Sequence, residues 1–431
     1  MAGPLAHPLA SLGIDLGSSG LRVALVDGEG GLQAELASPY PECFSHPRGW
    51  RRGLIELIHQ LPRPWRARIG ALAIDGTSGT LLICRPDGSL LPGPLAQALP
   101  YHLACPEQAA GAATLVGGCG PAASASGSLA RALQLLAQAR NQGLDPGELL
   151  LRHQADWLMG WLLGHWCWGE AGNNLRLGWD LQANRWLGQL SRQPWAAALP
   201  AIRASGDVLG PLTPAVASLL ELPPTCVVVA GSTDANAGVL AAAPAAGEAV
   251  TVLGTTLVLK QFTNAPIEAP GVSSHRVDGR WLVGGASNAG AGLLSRFFSD
   301  TELRRLSRQI DPRRPSGLAL RPLPSRGERF PVDDPELEPI LEPRPCSDAL
   351  YLQALLEGLT EIERQGWLRL QQLGAPPVRR IITLGGGAHN PQWRSLRQRA
   401  LGVPVLNRPA LSAALGMATL ARRSLQRRPP P

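Results

Sequence analysis

Four times along the chain an apolar run of strand-forming residues gives way to a tight loop of Gly, Asp, Ser and Thr. The first is Gly13-Ile-Asp15-Leu-Gly17-Ser18-Ser19-Gly20, which continues into Leu21-Arg22-Val-Ala-Leu-Val. The second runs from Ile69 through Asp75-Gly-Thr-Ser78-Gly-Thr80 into Leu-Leu-Ile-Cys84. The third is Cys226-Val-Val-Val-Ala-Gly231-Ser-Thr-Asp234, and the fourth is Val250-Thr-Val-Leu-Gly254-Thr255-Thr256 before Leu-Val-Leu. The first, second and fourth regain an apolar run at once and predict hairpins. The third runs into Ala and Gly, which suit a closely packed helix. Two such loops in each half predict a duplicated architecture, each half placing turns at a shared cleft.

Helical periodicity marks Ser128 to Leu136 and Leu150 to Leu163. Leu220-Glu-Leu-Pro-Pro-Thr225 is a breaker, so the expected domains are 1–224 and 225–431. Asp348 to Gln372 predicts a long helix with Ser347 as N-cap and Gly374 as its stop. It leads into a strand, Arg379 to Leu384, and the loop Gly385-Gly386-Gly387-Ala388-His389-Asn390. The Pro- and Arg-rich segment Asp311 to Pro345 is expected to be a surface excursion.

Composition narrows the function classes. With 431 residues, 45% apolar and 17% charged, the chain is a folded protein of two or three domains. Its longest apolar stretch, Trp157 to Trp168, is too short to span a bilayer. Met1 to Pro8 lack the marks of a secretory signal, and seven Cys without a CxxC argue against a disulfide framework or zinc ribbon. The expectation is a cytoplasmic protein with no membrane partner. The positive side of the net charge of +7 is almost wholly Arg, scattered along the chain with short pairs such as Arg313-Arg314, Arg422-Arg423 and Arg427-Arg428, which predicts solvated surface and no nucleic-acid partner. Lys260 is the single lysine. Its context, Leu257-Val-Leu-Lys260-Gln, rules out a Walker A loop and a protein-kinase lysine, and it is expected to be a solvated edge residue. Neither HExxH nor GxSxG occurs.

The loops themselves carry chemistry. Gly17-Ser18-Ser19 and Gly254-Thr255-Thr256 can present successive backbone N–H groups to phosphate oxygens, since Gly reaches positive φ cheaply. Asp15, at a strand end beside the first loop, suits Mg2+ held directly or through water. Asp234 opens a helix at a strand end, where a carboxylate can take the proton of a hydroxyl attacking a γ-phosphoryl group. Asp75 with Ser78 is expected to line the same cleft. Gly385-Gly386-Gly387 lets a flat ring or a ribose approach the backbone.

Taken together, these motifs resemble the FGGY carbohydrate kinases from Gly13 to about Leu420. Asp15-Leu-Gly17-Ser18-Ser19-Gly20-Leu21-Arg22 looks like that family's first phosphate motif. Gly231-Ser-Thr-Asp234-Ala is similar to the segment with its catalytic base, Gly254-Thr255-Thr256 to the second phosphate motif, and Gly385 to Asn390 to the adenosine motif. The resemblance implies an α/β fold of two actin-like (ribonuclease-H-like) domains, with mixed sheets flanked by helices and the active site in the cleft between them. It implies ATP and Mg2+, catalytic Asp234 and Asp15, and a sugar contacted by Asp15, Ser19, Gly20, Leu21, Arg22, Ser78 and Asp234. It assigns the nucleotide to Gly17, Ser18, Ser19, Gly254, Thr255, Thr256, Gly386, Gly387 and Asn390, and metal to Asp15.

Pro47-Arg-Gly-Trp50, Tyr101-His-Leu-Ala-Cys-Pro106, Ala155-Asp156-Trp157, Asn173-Asn174 and Gly178-Trp179-Asp180 look like a short ketopentose-kinase branch of cyanobacteria and plant plastids. Arg51-Arg52 after Trp50 and Leu103 after Tyr101 stand where many relatives carry polyol-binding side chains. A small ketose is therefore the expected acceptor, D-ribulose ahead of D-xylulose, with Trp50 a candidate platform. An actin-like ATPase without a sugar and a degenerate sugar-binding regulator are the readings from other classes. Oligomeric state stays open.

Overall fold

The computed structural model describes residues 9–118 and 120–427; Met1 to Pro8, Cys119 and the tail from Arg428 lie outside them. The chain packs as two units. Unit 1 comprises the residues up to Ala241, Arg276–Gly279 and the segment from Ser412, and unit 2 comprises Ala242–His275 and Arg280–Leu411. The breaker at Pro224 thus lies inside unit 1. The strand after it is that unit's own, so the chain leaves unit 1 only at Ala241.

Unit 1 is built on strands β1 (Ala10–Leu16), β2 (Leu21–Val26), β3 (Leu32–Ser38), β4 (Ile69–Gly76), β7 (Val208–Pro211) and β8 (Val227–Thr233), in the order β7-β8-β4-β1-β2-β3. A separate pair is formed by β5 (Leu81–Cys84) and β6 (Leu150–His153). The hairpin β1–β2 forms as expected, with Asp15 opposite Arg22. The hairpin expected at Ile69–Cys84 does not. β4 pairs β1 and β8 in parallel, and β5 turns away to pair β6, because the loop from Gly76 to Thr80 redirects the chain instead of reversing it. The helix expected from Leu150 likewise begins only at Gln154, since Leu150–His153 is spent on β6.

Helix α1 (Pro47–His59) and helix α8 (Ala413–Gln426) show how β2 divides its faces. Leu21, Val23 and Leu25 belong to the core with Trp50, Leu54 and Leu57 of α1, whereas Ala24 and Val26 pack with Ala414 and Ala418 of α8. That is the two-residue period of a strand read as two apolar faces. α8 lies so close to β1 that a Cβ on Gly13 would stand 1.8 Å from the Ala414 carbonyl oxygen. Trp50 is fully buried, with its indole N–H donating to the Phe44 carbonyl at 2.7 Å, so it is a core residue and not a sugar platform. Also in this unit are α2 (Ser128–Asn141) and α3 (Gln154–Leu163), and α4 (Asp234–Ala242) leads out of it.

Unit 2 repeats the arrangement. Its strands are β9 (Glu248–Leu253), β10 (Leu257–Thr263), β11 (Val272–Val277), β12 (Arg280–Ala286), β13 (Arg380–Leu384) and β14 (Val405–Asn407), ordered β11-β12-β10-β9-β13-β14. As in unit 1, a hairpin (β9–β10) is followed by strands added in parallel on its far side (β13, β14). Helices α5 (Asp300–Ser307), α6 (Asp348–Gln372) and α7 (Pro391–Leu401) belong here. The Ser347 hydroxyl caps α6 as expected, and Gly374, at φ +99°, ends it. A buried ion pair ties four elements together: Arg397 Nε and Nη2 of α7 meet Glu363 of α6 at 2.6 and 2.7 Å, while Thr251 of β9 donates to Glu363 and Thr383 of β13 accepts from Arg397.

Two further expectations fail in this unit. The segment Asp311 to Pro345 is not a mere excursion, because Leu320, Leu323 and Phe330 are buried in the core beside α6. Lys260 is not solvated: it is 5% exposed, in the interior strand β10.

Candidate active site

In unit 1 the parallel strands β1, β4 and β8 end at the same edge of the sheet, and each delivers a carboxylate there. Asp15 of β1 stands opposite Asp75 of β4 in register. Ser232 and Thr233 of β8 pair with Asp75 and Gly76, so Asp234 follows directly. Adjacent parallel strands bring their C-terminal ends together by construction, which is why ligands gather at such edges.

The three acids interact electrostatically. Asp75 is fully buried, and no N–H or O–H of another residue reaches either of its carboxyl oxygens. Its polar neighbour is the Asp15 carboxyl, a contact that is a hydrogen bond only when one of the two carries a proton. Burial first, then the charges of Asp15 and Asp234, hold Asp75 well above the usual carboxylate range. Burial also raises Asp15, against the hydrogen bond to Asp75 and the Arg22 charge. Asp234 is pushed up to about 6, chiefly by burial, although the Ala235 N–H donates to its Oδ1 at 2.7 Å.

The expected loop residues take distinct roles. Ser18 and Ser19 are exposed, and Arg22 points outward to Glu35 at 3.5 Å. Gly20 has no side chain because a Cβ would meet the Ser38 carbonyl oxygen at 2.4 Å; neither Gly17 nor Gly20 has positive φ. The same holds for Gly254, so these nests do not rest on left-handed glycine. Leu21 is buried in the core, which leaves only its backbone for a ligand. Ser78 is half-buried between Thr77 and Thr80, whose hydroxyls hydrogen-bond each other at 2.6 Å.

Sequence reasoning missed the residues that hold these loops. The Tyr40 hydroxyl donates to the Gly17 carbonyl at 2.7 Å and accepts from Gln154 at 3.3 Å; Gln154 in turn accepts from the Thr77 hydroxyl at 2.9 Å. Arg131, fully buried, donates from Nε to the Gly79 carbonyl at 2.9 Å and fixes that turn, where Gly79 sits at φ +104°. Glu170 accepts from the N–H groups of Gly172 and Asn173, and burial still pushes it up to about 8. Asn173 donates onward to the Ser232 carbonyl at 3.3 Å. The available signal was the polar cluster Arg152-His153-Gln154-Ala-Asp156 set between apolar residues.

In unit 2 the two remaining loops are neighbours, at the ends of the parallel strands β9 and β13, where Val252 pairs with Leu384. Thr255 is exposed, and the backbone N–H groups of Ala291 and Gly292 bond the Gly254 and Thr255 carbonyls at 2.9 and 3.3 Å. Thr256 lies half-buried beside them. Gly385 takes φ +84°, and Gly387 is bare because a Cβ would meet Leu253 Cβ at 2.6 Å. Gly386 alone faces open space. The Asn390 side chain is engaged, accepting from the Trp393 N–H at 3.0 Å as N-cap of α7 and donating to the Ser307 hydroxyl at 2.9 Å. It shapes the loop.

Among the described residues no three His, Cys, Asp or Glu side chains form a ready-made metal cage. A magnesium ion carried on nucleotide phosphates keeps several waters and needs only one or two carboxylates, of which Asp15 can supply one. No helix among the described residues is long and apolar enough to cross a membrane.

Residues 249–425 match the C-terminal domain of the FGGY family of carbohydrate kinases. A xylulose kinase of Klebsiella pneumoniae is 27% identical over 265 residues, which is 56% of this chain and 54% of that protein; the match spans about half the relative's length. Among solved structures, a xyloylose kinase from Brucella ovis superposes with a TM-score of 0.83 at 20% identity, covering 97% of this chain and 90% of the other. Plasmodium falciparum glycerol kinase with ADP gives 0.77 at 16% identity, with 98% and 90% covered. At these identities the structures establish the shared fold.

Proposed function

Because its residues 249–425 match the C-terminal domain of the FGGY carbohydrate kinases, we propose that the chain transfers the γ-phosphoryl group of ATP to a hydroxyl of a small sugar. The observation that carries this reading is the set of three carboxylates at the ends of β1, β4 and β8, with Asp234 held at about 6. A carboxylate with that value is ionised at neutral pH yet basic enough to accept a proton in the transition state. Asp234 takes the hydroxyl proton as the sugar oxygen attacks the γ-phosphorus, and the bond to the ADP oxygen breaks. Asp15, Ser78 and the backbone from Ser19 to Arg22 orient the sugar. The loop Gly254 to Thr256, exposed at Thr255, and the open face at Gly386 take the nucleotide. Mg2+ beside Asp15 would offset charge on the transferring phosphoryl group.

The acceptor we favour is a five-carbon ketose, D-ribulose first. Arg51, Arg52 and Leu103 leave few partners for a longer polyol. D-xylulose is the second reading, favoured by the name of the Klebsiella relative. The test is ADP release with D-ribulose, D-xylulose, L-ribulose and glycerol at equal low concentrations. D-ribulose should give the highest kcat/KM. A lead of more than about tenfold for another acceptor, roughly 1.4 kcal/mol, overturns the ribulose assignment, and no sugar-dependent ADP release overturns the kinase.

A further inference from the structure

Of the 40 Lys and Arg residues, Lys260 alone is lysine. Where Arg serves for every other cation, the one amine stands at a place where the difference matters: a guanidinium keeps its proton in a protein, whereas a buried amine can shed it. The Lys260 stem lies across Gly284 of the neighbouring strand β12, where a Cβ would meet Lys260 Cδ at 2.9 Å. Among the described residues Lys260 makes no ion pair. Its Nζ reaches the hydroxyl of Ser273 on β11 at 3.4 Å.

Ser273 differs from its neighbour. The Ser274 hydroxyl is fully used, accepting from the Ile267 N–H and donating to the Ile267 carbonyl, both at 2.9 Å. Ser273 is exposed, and besides Lys260 its hydroxyl has only a long contact, 3.4 Å, to the Gly284 carbonyl. An accessible hydroxyl thus sits against a buried amine without a counter-ion. This is the arrangement of a serine nucleophile with a lysine base, in which loose distances are common before a substrate arrives.

We infer that Ser273 and Lys260 form a nucleophile–base pair and that Ser273 is a site of acylation by activated acyl donors such as thioesters, acyl phosphates and aryl esters. Neutral Lys260 Nζ accepts the hydroxyl proton as Ser273 Oγ bonds to the acyl carbon. The bond to the leaving group breaks, and that group departs with the electron pair and takes the proton from the ammonium. The products are an ester on Ser273 and the free thiol, phosphate or phenol. Burial brings Lys260 down to about 8, which leaves the required neutral fraction present at neutral pH.

The experiment incubates the full chain with p-nitrophenyl acetate, follows p-nitrophenolate release, and locates the acetyl group by peptide mass spectrometry. One acetyl group on Ser273 is expected. Ser273→Ala should abolish it, and Lys260→Met and Lys260→Arg should each slow it about 10²-fold, the typical worth of a general base. Far-UV circular dichroism checks that each variant is folded. Ser273→Ala, an exposed change, stands as the decisive variant should either lysine variant misfold. An acetyl group on Lys260 or scattered over other hydroxyls, or undiminished release from Ser273→Ala, overturns the proposal. So does the absence of acetylation. The result is independent of sugar phosphorylation, which Ser273→Ala should leave unchanged.

Discussion

Asp15 and Asp75 stand opposite one another on adjacent parallel strands, and their carboxyls touch with no other donor reaching Asp75. Such a pair is stable only when it shares a proton, and the fully buried Asp75 is the one to keep it. The sheet edge then carries its negative charge on Asp15 and Asp234, the two residues proposed to meet ligands.

Asp75→Asn should test this through stability. A carboxyl whose folded value is raised contributes stability in full below its ordinary 3.8, and that contribution drains away as pH rises toward the folded value. The amide has no such loss. Urea melts should therefore show Asp75→Asn gaining on the wild type as the pH rises above about 4, with no gain near pH 3. A constant difference across that range would contradict a neutral Asp75.

Asp234→Asn is expected to fold and bind sugar but to lose about 10²–10⁴ in turnover, since an amide cannot accept the hydroxyl proton. Turnover above half of wild type, measured by ADP release, would remove Asp234 from the role of base.

The pH profile follows from the same residue. As the proposed base Asp234 must be ionised, so kcat/KM should rise through about pH 6 and level off above it. A plateau already reached at pH 4.5 would show that burial does not hold Asp234 where the structure places it.

Lys260→Met should stabilise the fold at pH 7. Moving the amine from its ordinary 10.5 to about 8 makes its charged form costly by on the order of 3 kcal/mol, an upper bound. The folded state binds the proton less well than the unfolded one, so the wild type recovers stability as pH climbs from about 8 to 10.5, and the advantage of methionine should shrink over that window. Thermal melts at pH 7 and 10 measure it.

Gly231→Ala should be among the most damaging small changes. A Cβ there would stand 1.7 Å from the Ile74 carbonyl oxygen, at the irregularity where β8 shifts register on β4. Backbone has to move, at a cost of about 3 kcal/mol or more, and soluble yield with a urea midpoint will show it.

Much of this molecule was legible because loop chemistry and strand patterning agree. Asp15, Asp75 and Asp234 each follow an apolar run, and parallel pairing did the rest. Less legible was whatever depends on direction. Nothing in Asp75-Gly-Thr-Ser78 says that the chain will turn away to β6 instead of folding back, because local residues set a turn's shape while distant strands supply the partner. Lys260 misled for a related reason: a charge in an apolar run reads as an edge when the strand order is unknown. Tyr40, Gln154 and Arg131 work across 23 to 114 positions of sequence, a reach that no local pattern reports.

The helix α8 that covers β1, β4 and β2 is separated from the rest of unit 1 by almost the whole of unit 2. On a ribosome adding about 5–20 residues per second, the sheet that carries all three acids therefore waits on the order of ten to thirty seconds with one face bare. Unit 2, contiguous apart from a four-residue turn, has no such delay. The half of the protein that is translated first is thus the half that finishes folding last, and Gly13, flush against Ala414, is where that late closure is completed.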